Sequence, residues 1–106
     1  MSTGKWFGVL AEVATERARQ DEKWGEQNHP NGTGPTMSRL NAADRARKDC
    51  DRAAQNGTVT WRHILTEEMA EAYAESDAET LRAELIQVAA VAVAWVEAID
   101  RSGVNK

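Results

Sequence analysis

The chain has one cysteine, Cys50, two prolines, Pro30 and Pro35, and six aromatic residues, four of them tryptophan. A lone cysteine excludes an intrachain disulfide, and the N-terminus lacks the apolar run of a secretory signal, which makes the cytoplasm the expected location. An excess of positive charge is also missing: 13 basic side chains face 17 acidic ones, for a net charge of −4. Such a surface cannot meet the phosphate electrostatics of general nucleic-acid binding, so a nucleic-acid polymer is excluded as partner, whereas a small phosphorylated ligand is not. Long hydrophobic runs are absent too. The most apolar stretch, Leu85 to Val96, is 12 residues long and contains Gln87, against the roughly 20 residues a bilayer span needs, so it reads as a buried helix and no membrane partner is expected.

What is present favours helices. Alanine occurs 18 times among 106 residues, and alanine is the best helix former. The length fits a single domain over residues 1–106. A chain this short buries only about two-thirds of its unfolded surface, so a deep pocket would borrow walls from another copy, and a homodimer or homotetramer is expected.

Apolar residues at Trp6, Val9, Leu10, Val13 and Ala14 recur with helical spacing and predict a first helix to about Glu22. Residues 24–36 hold both prolines and three of the seven glycines and predict a long loop. Ser38 or Thr36 is placed to cap a second helix, about Arg39 to Gln55, with a thin stripe of Leu40, Ala43, Ala46 or Arg47, Cys50 and Ala54. Asn56-Gly57 reads as its C-terminal stop. Thr60 caps a third helix from Trp61 to about Glu75, and Ser76 with Glu79 has capping-box spacing for a fourth. That fourth helix is apolar on several faces and is expected to be central, and residues 102–106 read as a fraying tail. The fold class is all-α, a four-helix bundle with a long loop between helices 1 and 2.

Helix 3 carries Glu67, Glu68 and Glu71, with Glu75 one turn further on. Like charges at i,i+4 cost roughly 0.2–0.5 kcal/mol per pair on an isolated helix. Residues 67–84 contain seven acids and one base, Arg82, so nearby cations cannot neutralise the cluster. A divalent cation can, and magnesium with its preference for carboxylate oxygens is the natural candidate. Glu84 lies two turns into helix 4, which returns alongside helix 3, so Glu68, Glu71 and Glu84 can converge as oxygen donors. The other reading of the same residues is a solvated acidic face.

The spacing Glu67-Glu68-x-x-Glu71, a 12-residue gap and then Glu84-x-x-Gln87 before an apolar helix resembles the EExxE and ExxD motif pair of the MazG-like all-α nucleoside triphosphate pyrophosphohydrolases. The resemblance covers about residues 61–101, and the stretch from Gln20 to Pro30 looks like the short MazG-like proteins of bacteria and their phages. It implies hydrolysis of a nucleoside or deoxynucleoside triphosphate to the monophosphate and pyrophosphate, dependent on Mg2+, with Mn2+ as the alternative ion. Carried over residue by residue, it makes Glu68, Glu71 and Glu84 metal ligands, and Glu67 a ligand or the base that orients the attacking water. Gln87 stands where the motif has Asp; its amide oxygen can coordinate but brings no negative charge. Asp100 is about 24 Å along the helix from Glu84 and cannot replace it within one chain; Glu75, or Glu12 or Glu16 from helix 1, are the substitutes to consider.

No phosphate-cradling glycine loop is present, so basic side chains must assist. Arg45, Lys48 and Arg52 line one face of helix 2, and Arg82 lies near Glu84; the competing reading of the stripe is a solvated face in which Asp44 pairs with Lys48. Trp24, Asn28 and His29 in the loop form a base-reading set, an indole to stack and polar groups to read an edge, unless Trp24 anchors the loop on the core. His63 is expected to pair with a carboxylate rather than extend the metal site. Cys50 reads as a small core residue. A second functional class stays open: a helical nucleotide-binding or protein-interaction module that keeps the scaffold without turnover, with Gln87 as its support.

Overall fold

A computed structural model describes residues 5–103. Four α-helices and no strand occur among them: α1 Lys5–Trp24, α2 Met37–Gln55, α3 Trp61–Tyr73 and α4 Ala78–Ser102. The all-α class and the loop between α1 and α2 are as the periodicity predicts. The expected tail begins within α4 at Ser102, and residues 104–106 lie outside the described part.

The caps show why the helices start and stop where they do. Thr36, not Ser38, caps α2: its side-chain oxygen accepts from the Arg39 N–H at 3.2 Å. Asn56 ends the helix, and Gly57 follows at φ 72°, a conformation that glycine adopts without strain. At α3, Thr60 and His63 form a reciprocal box. The His63 N–H donates to Thr60 Oγ1 at 3.2 Å, and the Thr60 N–H donates to His63 Nδ1 at 3.0 Å. His63 is therefore a capping side chain, and the expected carboxylate partner is replaced by the backbone. The cap of α4 is Asp77 rather than Ser76: its carboxylate accepts from the Thr80 N–H at 2.9 Å and from the Thr80 hydroxyl at 2.8 Å. Aspartate at an N-terminus also faces the positive end of the helix dipole.

The chain divides into two compact units, one of Gly32–Ala92 and one of Met1–Asn31 with Val93–Lys106, and α4 contributes to both. In the first, α2 packs on α3 through small side chains: Ala46, Ala53 and Ala72 are buried. The apolar stripe of α2 thus runs to Ala53, one residue earlier than Ala54, and Leu40 lies outside it at 46% exposed. Leu81 closes the first turn of α4 and is buried. Beyond it α4 is not the covered centre that its composition suggests, since Leu85 and Ile86 are 49% and 57% exposed. Alanine faces allow close approach but give little cover for longer side chains.

Between the long loop and α2, residues 32–36 form a strap across the end of α3. The Gly34 N–H donates to the Tyr73 carbonyl at 3.0 Å, and Thr33 Oγ1 donates to the Glu75 carbonyl at 2.6 Å. Arg39 reaches back to the carbonyls of Gly32 and Gly34 at 3.0 and 3.4 Å. Two carbonyls at the end of α3 thereby gain partners from 42 residues away or nearly so, which fixes the end of the helix that carries the acids.

In the second unit, Val9 of α1 is buried, and the Trp6 and Phe7 rings lie 4.0 Å apart by centroid. Val9, Val13 and Val96 line a groove of about 300 Å³ with Glu12, Glu16, Arg17 and Gln20 among its walls.

Candidate acidic site on α3 and α4

Helical geometry places Glu67, Glu68 and Glu71 on α3 and Glu75 just beyond its end, and Glu84 on α4 is near enough for its charge to act on Glu71. All five are half-buried. Burial raises the Glu71 carboxyl above its ordinary value, and the negative charges of Glu67, Glu68 and Glu84 push it further. Glu84 is raised in the same way, first by burial and then by Glu75 and Glu68. The influence of charge therefore crosses between the two helices. One oxygen of Glu68 and one of Glu84, Oε2 and Oε1, are buried and accept no hydrogen bond. A buried acceptor without a donor costs free energy, more so when it is charged.

The donor chemistry fits a hard divalent cation, and the two orphaned oxygens are where such an ion would be most stabilising. As they stand, no three acid, histidine or cysteine side chains among the described residues converge closely enough to grip a metal ion. Carboxylates repel one another when nothing lies between them, so ion binding here requires side-chain rotation inward. Glu75 is partly committed, accepting from the Asp77 N–H at 3.0 Å. Gln87, one turn beyond Glu84, is exposed.

The partners of α3 on α2 are visible only in three dimensions. The Cys50 thiol is half-buried beside Glu67, raised by burial and by its hydrogen bond to that carboxylate. Cys50 is thus at the edge of the cluster rather than in the core. Arg47 is the cation whose field opposes the rise at Glu71. Sequence spacing put Arg47 on the stripe of α2 without attaching any chemistry to it.

The basic residues expected to assist are disposed differently. Lys48 Nζ lies 2.9 Å from Asp44, and Arg52 lies 3.6 Å from Asp49. Arg45 and Arg82 are exposed. Trp24, Asn28 and His29 belong to the other unit, where all three are exposed. Trp24 is 56% exposed with the Lys23 ammonium 4.8 Å from its ring, so it is not a core anchor. Asn28 donates to Glu26 at 3.0 Å, and His29 Nε2 pairs with Gln27 at 3.0 Å. Glu16 is held by Arg19, whose Nε donates to it at 2.9 Å, and by Gln20 at 3.0 Å.

Comparison of the chain with protein-family models, with curated proteins and with solved structures found no match.

Proposed function

We propose that the chain is a MazG-like nucleotide pyrophosphohydrolase, cytoplasmic and homo-oligomeric, that cleaves a nucleoside or deoxynucleoside triphosphate to the monophosphate and pyrophosphate. The observation that carries this reading is the pair of buried, unpartnered oxygens on Glu68 and Glu84, on two helices, among neighbouring negative charges that raise the Glu71 and Glu84 carboxyls. A merely solvated acidic face has no reason to bury such atoms, because water would satisfy them. Glu68, Glu71 and Glu84 would hold Mg2+ or Mn2+, with Gln87 available from the exposed side. The ion, when bound, supplies charge neutralisation for the polyphosphate and acidifies water.

The chain's own residues divide the remaining work. Glu67 orients the attacking water and takes its proton as the water oxygen bonds to the α-phosphorus; the bond from that phosphorus to the bridging oxygen breaks, and pyrophosphate leaves. Leu85 and Ile86, exposed on α4, supply apolar surface for a second copy.

One observation favours the module that binds without turnover. Gln87 is neutral and exposed, so the fourth donor of the motif is weak here. The test is pyrophosphate release from all eight common NTPs and dNTPs, with and without Mg2+ or Mn2+. Metal-dependent release from at least one is expected; release from none, with Mn2+ bound, selects the module.

A further inference from the structure

Away from the acids, α1 carries two features that answer one another. Val9 and Val13 line the groove of about 300 Å³ together with Val96 of α4, which belongs to the same unit. Val9 is buried there, while Val13 and Val96 are 46% and 41% exposed. Toward the N-terminal end of α1, Trp6 and Phe7 are 40% and 56% exposed, with their rings 4.0 Å apart by centroid. Leu10, also exposed, lies between the two features. Steps of four, three and four residues put Trp6, Leu10, Val13 and Arg17 on one stripe of the helix. One end of that stripe is an aromatic knob and the other an apolar recess.

A contact between identical copies about a two-fold axis must carry both halves of its own complement, and this stripe does. Set antiparallel against a second copy, with the axis near residues 11 and 12, Trp6 of each chain comes level with Arg17 of the other and Leu10 with Val13. Arg17 suits that position. It lines the recess, its Nη1 donates to Gln20 Oε1 at 3.1 Å, and it joins no ion pair among the described residues. A guanidinium with no carboxylate to hold it can lie on an indole face. The area also agrees. The exposed parts of Trp6, Phe7, Leu10, Val13 and Val96 come to roughly 400 Å² of apolar surface per chain. For a pair that is about 800 Å², and at the usual apolar share of ~60% it corresponds to an interface of about 1,300 Å², within the range of specific, stable contacts.

We propose that the stripe of Trp6, Leu10, Val13 and Arg17 is the seam of an antiparallel pair with a second copy of this chain. Trp6 and Phe7 of each copy enter the recess of the other, beneath its Arg17. This rests on the homo-oligomeric part of the reading above and on none of the acids. Sedimentation equilibrium gives the dissociation constant of the pair for wild type, Trp6→Ala, Arg17→Ala and the double variant, with circular dichroism as the check on folding.

Wild type is expected to associate. Trp6→Ala weakens association at least about 30-fold, and Arg17→Ala about three- to tenfold. Within one chain the two residues are about 16 Å apart along α1. Their effects therefore multiply unless the side chains meet across the seam, and the double variant is expected to fall short of the product by about threefold or more. Wild type that stays monomeric at millimolar concentration overturns the seam together with the homo-oligomeric reading. An oligomer whose dissociation constant changes less than twofold in Trp6→Ala, with helix content intact, overturns the seam alone. Effects of the two substitutions that simply multiply overturn the antiparallel pairing.

Discussion

Glu16 and Glu71 are the same side chain in opposite circumstances. Glu16, on α1, is gripped by Arg19 and Gln20 within one turn of its own helix, and those hydrogen bonds lower its carboxyl below the ordinary value. Glu71, on α3, has burial and three other carboxylates around it, and its carboxyl is raised. The first arrangement is what a helix surface does with charge when nothing else is asked of it. The second is maintained against its own electrostatics, by the packing of α2 on α3 and by the strap rather than by the sequence around Glu71. Charge alone therefore does not distinguish the two residues; the presence or absence of a local counterion does.

The largest expected effect tests that contrast directly. Glu71→Gln and Glu84→Gln should each reduce metal-dependent pyrophosphate release by at least about 100-fold, since even residues that only orient metal ligands are worth 10–100-fold. The same variants should make the metal-free protein more stable at neutral pH. A carboxyl raised in the folded state takes up its proton there before the unfolded chain does. Its contribution to stability is favourable near the ordinary value of 4.5 and is lost as pH rises through the raised value. Glu71→Gln removes that loss, and thermal melts at pH 7.5 without metal should show a midpoint roughly 2–5 °C higher than wild type. Added Mn2+ should then stabilise wild type and not the variant. A variant that gains stability and keeps full activity would reduce the cluster to a surface.

How much of this the residues announce by themselves follows from the range of each interaction. Helix existence is local, and alanine content, apolar spacing and the caps at Thr36 and Thr60 make all four helices legible. So is the acid pattern of α3, because Glu67, Glu68 and Glu71 need only the geometry of one helix to lie within about a turn of one another, whereas Glu84 belongs to α4. Two features are not legible in this way. Ser76 and Asp77 are both good caps one residue apart, and the choice fell to Asp77 because its carboxylate reaches both groups of Thr80. On α2 the stripe could include Ala53 or Ala54, and only the rotation of α2 against α3 decides it. The strap is hidden because nothing local links Thr33 and Gly34 to a helix end 40 residues on.

Gly34→Ala sharpens the comparison from the scaffold side. Gly34 is buried at φ 150°, outside the range a side chain tolerates well, although an added methyl would meet no neighbour within 4 Å. The cost is therefore backbone strain alone, about 1 kcal/mol or somewhat more, read as a drop of about 4–8 °C in the melting midpoint. Because the Gly34 N–H holds the Tyr73 carbonyl, the strained strap should also loosen the end of α3 and weaken Mn2+ binding a few-fold in calorimetry. Loss of stability with unchanged Mn2+ affinity would mean that α2 alone fixes the acids.

The smallest effect belongs to Glu16→Gln, and its smallness is the point. Glu12 and Glu16 are the acids of α1 that spacing allows as replacement ligands for Gln87. Glu16 already spends its oxygens on Arg19 and Gln20, and an ion would have to displace both. A carboxyl lowered in the folded state contributes stability above its ordinary value that fades as pH falls through the lowered one, the reverse of Glu71. Removing it should cost a degree or less of melting temperature at neutral pH, a difference that vanishes once acid has protonated the wild-type carboxyl, with no change in Mn2+ affinity. A clear fall in Mn2+ affinity in this variant would place Glu16 in the fourth position and break the division between the two kinds of acid.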